Sequence, residues 1–114
     1  MSKKILVLLV FVGFVGTSIN ASAVEIRGAP SCKDWLHNNN TDKFSSSPSN
    51  IHSKGWLAGY LSGLAVTTGK DYLKGMDNEF IFDWVSNYCN ANPSQDLSQA
   101  GQVLAKRVIK QKKL

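Results

Sequence analysis

The chain has 114 residues, of which 13 are lysine or arginine and eight are aspartate or glutamate, so its formal net charge is +5. A chain of this length forms one small domain, and so slight an excess of basic residues argues against a nucleic-acid-binding protein. The two cysteines have no histidines or carboxylates at ligand spacing, which argues against a zinc site.

The beginning of the chain has the three parts of a secretory signal peptide. Lys3 and Lys4 supply the positive charge, residues 5–15 are apolar, and Ala21-Ser22-Ala23 matches the small-x-small cleavage rule. The apolar run is shorter than the ~20 residues that cross a bilayer, although an uncleaved anchor is the alternative. We therefore expect residues 1–23 to be removed on export. The mature chain should have no transmembrane segment and form a single α-helical domain over residues 24–114.

The mature chain would have 91 residues (114 − 23). Chains of this size bury only about 60–65 % of their unfolded surface and benefit from a crosslink. Cys32 and Cys89 are expected to pair in an oxidising compartment, whereas two free thiols or an intermolecular bridge are the alternatives. An intramolecular disulfide would join positions 57 residues apart (89 − 32). It would stabilise the fold by about 4 kcal/mol.

The first half of the mature chain is expected to contain two helices separated by a loop. A short first helix should begin at Ser31, which has Asp34 at the spacing of a capping box. Residues 38–50 are dominated by Asn, Ser and Pro, which predicts a loop, either disordered or used in recognition. The second helix should run from about Ile51 to Thr68, and Gly69 should end it.

The second helix has a large side and a small side when its residues are placed at 100° intervals. Trp56 and Tyr60 lie with three leucines on the large side, while Gly55, Gly59 and Gly63 lie with alanines and a serine on the small side. Each glycine costs a helix about 1 kcal/mol, but a strip of small residues lets another backbone approach closely. We therefore expect a dimer contact or close helix packing at these five positions, with the third helix or a second copy of the chain as the neighbour.

The third helix is expected to begin after Asp77, a good N-cap, and to end at Asn92-Pro93, because the residue before proline avoids the α conformation. Phe80, Trp84 and Tyr88 recur along it at four-residue spacing, which is typical of a buried stripe. This stripe should face the core, with Cys89 pointing inward at its edge and Ile81 and Val85 beside it. Four polar residues should face away from the core: Asp83, Ser86, Asn87 and Asn90.

The fourth helix is expected to be capped by Ser94 or Asp96, with Gln99 completing a capping box in the second case. Its apolar seam consists of Leu97, Ala100, Leu104 and Val108. Five basic residues near its end either complement the helix dipole or form a patch for an acidic partner or an anionic membrane: Lys106, Arg107, Lys110, Lys112 and Lys113. No segment alternates as a strand does, so the predicted fold is an all-α bundle of three to four helices with one disulfide.

No constellation of catalytic residues emerges from the sequence. His37 and His52 border the loop rich in Asn and Ser without partners at metal-ligand spacing. Ser62 lacks the G-x-S-x-G turn of a serine nucleophile, since Tyr60 stands two residues before it. We therefore expect a non-enzyme that uses no metal and no cofactor.

Three stretches together resemble the Rap/Tai family of immunity proteins against type VI secretion amidases: CKDWL, GWLAGYLSGLA and DWVSNYCNANPSQDLSQAGQVLAKRV. The resemblance covers residues 32–108. It implies a small helical homodimer of the periplasm that binds and blocks a peptidoglycan amidase. It also implies that Cys32 and Cys89 form the structural disulfide and that residues 51–68 help to build the dimer.

Inhibitors of this kind usually plug a cleft with a loop or with the end of a helix, which directs attention to residues 38–54 and 69–78. The candidates for partner binding in these segments are His52, Lys54, Lys70, Asp71 and Tyr72. The expected partner is a protein, either a cell-wall amidase or another exported protein.

The sequence also resembles, more distantly, the acid-stress chaperones of the HdeA type, which are small helical periplasmic proteins with one disulfide across a similar loop. This resemblance implies a dimer that acid opens to expose a hydrophobic face. The glycine-rich second helix and the Asn92-Pro93 junction depart from that type. An acid-stress chaperone is therefore the alternative function.

Overall fold

The computed structural model describes residues 24–41 and 47–114, without the side chains of residues 40 and 41. These residues form four helices and no strand: α1 (Cys32–Thr41), α2 (Pro48–Thr68), α3 (Asn78–Ala91) and α4 (Leu97–Lys112). The predicted all-α fold with one disulfide is therefore confirmed. The predicted signal peptide lies outside the described residues.

The ends of the later helices follow the capping signals in the sequence. The Asp77 side chain accepts from the backbone N–H of Glu79 at the start of α3. Asp96 and Gln99 form the predicted capping box at the start of α4. Gly69 ends α2 in the left-handed conformation, with φ of 66°, which glycine adopts without the steric cost that a Cβ imposes.

The loop predicted over residues 38–50 is wrong at both ends, because α1 continues to Thr41 and α2 begins at Pro48. Ser47 caps α2 by accepting from the backbone N–H of Asn50. Pro48 occupies the first turn, where its missing N–H leaves no helical hydrogen bond unmade. A serine-proline N-terminal signal therefore outweighs the polar composition of this segment.

The core is built around the Cys32–Cys89 disulfide, which joins the first turn of α1 to the last turn of α3 with a Cα–Cα distance of 5.0 Å. Both cysteines are fully buried. The buried Trp35 donates from its indole Nε1 to Ser86 Oγ at 2.9 Å, and its ring lies 5.8 Å from that of Phe82. The prediction that Ser86 faces away from the core is therefore wrong, because its hydroxyl accepts a hydrogen bond from the buried Trp35.

The predicted aromatic stripe of α3 is also corrected. The buried line of this helix consists of Ile81, Val85 and Cys89. Phe80 is 55 % exposed, and Trp84 and Tyr88 are half-buried. Compared with the prediction, α3 is rotated about its axis by about 100°, which is the angle between successive residues of a helix. The rotation arises because the disulfide requires Cys89 itself to point at α1.

The apolar seam of α4 is buried as predicted, and Gly101 and Ala105 join it. Two backbone hydrogen bonds tie the segment before α1 to the turn between α3 and α4. Cys32 N–H donates to Gln95 O at 2.9 Å, and Leu97 N–H donates to Pro30 O at 2.9 Å. The start of the folded region is therefore held against the start of α4.

Within residues 24–41 and 47–114, no helix combines the length and the apolarity needed to span a membrane.

Candidate partner-binding surface

The three glycines of α2 point outward and face no other part of the described chain. A Cβ placed at Gly55, Gly59 or Gly63 would meet nothing within 4 Å, and all three residues are exposed. Of the two neighbours considered for this strip, the third helix is therefore excluded, and a second copy of the chain stays a prediction. The large side of α2 turns toward the other helices, and the small side is left to solvent.

This outward face of α2 carries no acidic or basic side chain between His52 and Thr68 except Lys54, which lies at its edge. Its two exposed hydrophobic side chains, Ile51 and Val66, are 59 % and 81 % exposed. The hydroxyl of Ser62 donates to Ala58 O at 2.7 Å within the helix. The face therefore presents almost no polar group whose hydrogen bonds a partner would have to replace.

Tyr60 packs between α2 and α4, and Trp56 of the same helix stacks on it. Their rings stack with a centroid distance of 5.0 Å, and the Tyr60 hydroxyl accepts from Gln102 Nε2 at 3.1 Å. A Cβ at Gly101 would lie 3.0 Å from the Tyr60 ring. The glycine that admits a close helix contact is therefore Gly101 of α4, which the sequence analysis did not single out. The sequence feature that could have identified Gly101 is its position within the apolar seam of α4.

His52 and Lys54 do not share a site. His52 is exposed and lines an open cleft of about 620 Å³ together with residues of α1 such as Asp34 and Asn38. The Lys54 ammonium instead lies 5.2 Å from the centroid of the Phe82 ring on α3. The two side chains leave α2 on different sides, so one partner surface does not need both.

The three other candidates for partner binding lie in the connection after α2, and their surroundings differ. Tyr72 is fully buried, and its hydroxyl donates to Leu61 O at 2.6 Å. It is therefore a core residue, and the expectation that it contacts a partner is wrong. Asp71 is exposed, and Lys70 Nζ donates to Leu114 O at 3.1 Å.

Lys112 holds the same connection from the end of α4. Its Nζ donates to Tyr72 O at 2.9 Å and to Lys74 O at 2.7 Å. These two carbonyls lie outside the helices and accept no helical hydrogen bond. The ammonium therefore supplies hydrogen bonds that the carbonyls would otherwise have to obtain from water. One of the five basic residues near the C-terminus thus has a structural role and does not belong to a binding patch.

Burial, and to a lesser extent the neighbouring Tyr60, raises the pKa of Tyr72 to about 12. The ordinary value of about 10 applies to the unfolded chain. The folded state therefore holds the phenol neutral more strongly than the unfolded state does. The resulting stabilisation is complete below about pH 10 and is lost as the pH rises through about 12.

Tyr72→Phe is expected to lower the free energy of unfolding at neutral pH by about 1 kcal/mol, because the hydrogen bond to Leu61 O is lost. The melting temperature should fall by about 4–8 °C. The variant should also lose the fall in stability that we expect for the wild type between about pH 10 and 12. Circular dichroism melts across this pH range measure both effects. Tyr88→Phe is the control, and an equally flat profile for it would contradict the assignment to Tyr72.

In the described part of the chain, no group of three or more His, Cys, Asp or Glu side chains could hold a metal ion. Over residues 24–41 and 47–114, the fold and surfaces define a class: an all-α fold of four helices closed by one buried disulfide, with an outward helix face that is almost free of charge. Comparison with protein-family models, curated proteins and solved structures found no match.

Proposed function

We propose that this protein is an exported, non-catalytic binding protein that acts as a homodimer and inhibits a peptidoglycan amidase in the manner of an immunity protein. The observation that carries the proposal is the outward face of α2. A disulfide-linked core is complete without this face, yet three helix-weakening glycines are exposed there. Exposed glycines offer no packing that would offset their cost in a monomer.

A second copy of the chain suits this face because the face is self-complementary. If two α2 helices cross antiparallel at Gly59, Ile51 of one copy comes close to Val66 of the other, since they lie eight and seven residues from the crossing. Glycine and alanine lose no side-chain entropy on burial. The missing Cβ atoms also allow the helix axes to approach closely.

Export and the inhibitory role rest on other observations. A buried disulfide suits an oxidising compartment, in keeping with the signal-peptide pattern at the start of the chain. The choice of an amidase as partner rests on the resemblance to the Rap/Tai proteins. His52 and Lys54 lie near the start of α2, and Lys70 and Asp71 follow its end. These four residues remain the candidates for contacts with that partner.

The dimer is tested by measuring mass in solution with light scattering after size-exclusion chromatography. We expect a dimer for the wild type and a monomer for Gly59→Leu, because a leucine would hold the two helices apart. The melting temperature of the dilute, monomeric protein should not fall, since nothing lies near this position within one chain. Lys33→Leu adds an exposed leucine to α1 and should remain dimeric. A monomeric wild type would contradict the proposed dimer.

The inhibitory role is tested by co-expression with each peptidoglycan amidase encoded beside the gene or delivered by kin. The full chain should prevent lysis by an amidase sent to the periplasm, and the chain without residues 2–23 should not. The purified protein should also block hydrolysis of peptidoglycan by that amidase. Failure to rescue from every such amidase would contradict the immunity role.

The acid-chaperone alternative gains no specific support from the described residues. Arg27 and Glu25 form an ion pair at 3.0 Å, and both side chains are well exposed. Acid would break this pair without exposing a buried charge. Protection of an unfolded client from aggregation below about pH 3, where carboxylates are protonated, would nevertheless favour this alternative.

A further inference from the structure

A second surface, formed by α3 and α4, has the composition of a protein-binding hot spot. We call it the aromatic–arginine surface and define it by Phe80, Trp84 and Tyr88 of α3 together with Val103 and Arg107 of α4. Phe80 is 55 % exposed and Val103 is 36 % exposed. Trp, Tyr and Arg are the residues most enriched where binding energy concentrates in interfaces.

Arg107 is the charged centre of this surface. Its Cζ lies over the Trp84 ring, 5.6 Å from the ring centroid, a contact that attracts the cation to the aromatic face and restrains it. None of the carboxylates in the described residues forms an ion pair with it. A guanidinium held in this way keeps N–H groups available for two parallel hydrogen bonds to a carboxylate.

The charge around Arg107 favours an acidic ligand. Lys106 and Lys110 are exposed within one turn of it, and no acidic residue follows Asp96 in the chain. The acidic residues of α3 nearest to Trp84, Glu79 and Asp83, lie about 140° and 100° around that helix from it. They reduce the local positive potential without occupying Arg107.

We propose that the aromatic–arginine surface binds an acidic segment of a partner protein, in which a carboxylate meets Arg107 and the apolar side chains on either side of that carboxylate pack on Phe80 and on Val103. This proposal does not depend on the proposed amidase or on the α2 dimer. The surface lies on α3 and α4, while the dimer face lies on α2. Both can therefore be occupied at once.

The held position of Trp84 favours a protein segment over a lipid surface. Its ring stacks on Tyr88 with a centroid distance of 5.6 Å and an interplanar angle of 13°, and the Tyr88 hydroxyl donates to Gln95 Oε1. Binding in a membrane interface buries apolar side chains about 5–10 Å deep. A half-buried ring fixed between two helices offers a flat contact and cannot enter to that depth.

The test is a titration of the isotope-labelled full-length mature protein with a synthetic peptide of alternating glutamate and leucine, followed by NMR. We expect saturable shifts at the Trp84 indole N–H and the Arg107 Nε–H, and weaker binding as salt is added. Arg107→Gln should weaken binding at least tenfold. Arg107→Lys should also weaken it, because lysine keeps the charge but lacks the planar fork.

Two controls distinguish binding at this surface from non-specific electrostatic attraction between the basic protein and an acidic peptide. Lys33→Gln removes the same charge from an exposed position on α1 and should leave the affinity unchanged, and a glutamine–leucine peptide should not bind. Four results would overturn the proposal: no binding of the acidic peptide, shifts confined to other residues, equal affinities for Arg107→Gln and Lys33→Gln, or binding to phosphatidylglycerol vesicles without binding to the peptide.

Discussion

Removal of the Cys32–Cys89 disulfide is expected to lower the free energy of unfolding by about 4 kcal/mol. The crosslink joins residues 57 apart in sequence, so the open chain gains the entropy of a long loop when it unfolds. A domain of this size has a total stability of about 5–14 kcal/mol. Loss of the disulfide therefore removes a large part of what keeps the protein folded.

The measurement compares thermal and urea unfolding of the wild type with those of Cys32→Ala/Cys89→Ala. The melting temperature should fall by about 15–30 °C. Alanine keeps the buried positions apolar, so the comparison reports mainly the crosslink. Reduced wild-type protein is the control and should unfold with the variant. A loss below about 1 kcal/mol would contradict the prediction and would indicate that the unfolded chain is already compact without the crosslink.

Gly101→Leu is expected to destabilise the protein by about 3 kcal/mol. The Cβ alone would lie 3.0 and 3.1 Å from two carbons of the Tyr60 ring and 3.4 Å from a methyl group of Leu61. The Tyr60 ring is stacked on Trp56 and cannot move aside without disturbing that pair. Overpacking of this kind separates helices or forces strained rotamers.

Gly59→Leu is the matched substitution on α2 and, in the monomer, is expected to have the opposite sign. Nothing lies within 4 Å of its Cβ position, so the variant should gain about 0.5–1 kcal/mol from the helix preference of leucine over glycine. Urea unfolding of both variants at low protein concentration measures the two effects. Equal destabilisation by the two substitutions would contradict the assignment of Gly101 as the close-contact glycine.

The candidate surfaces were only partly predictable from the sequence. A helical wheel separates Trp56 and Tyr60 from the glycines of α2, because that separation depends on helix geometry alone. It cannot tell which side meets another helix, since large side chains and small ones both make good contacts. The pairing of Trp84 with Arg107, 23 residues later, has no local signal of any kind.

Tyr72 shows the same limit in a connecting segment. Its neighbours Lys70, Asp71 and Lys74 are polar, and the segment has two glycines, so the local pattern predicts an exposed loop. The burial of Tyr72 depends on a carbonyl of α2 that accepts from its hydroxyl and on Lys112 of α4, which holds the backbone of the segment. These contacts form only when three distant parts of the chain meet.

The sequence by itself determined the all-α fold, both ends of α3, the start and the seam of α4, and the pair of cysteines available for a disulfide. These features depend on periodicity and on capping groups a few residues away, which the sequence contains directly. The tertiary structure alone decided how α3 is rotated about its axis, which glycine lies in a helix contact and which helix face remains open. Each of these depends on how the disulfide and the bulky side chains Trp35 and Tyr60 fit between helices that are distant in sequence.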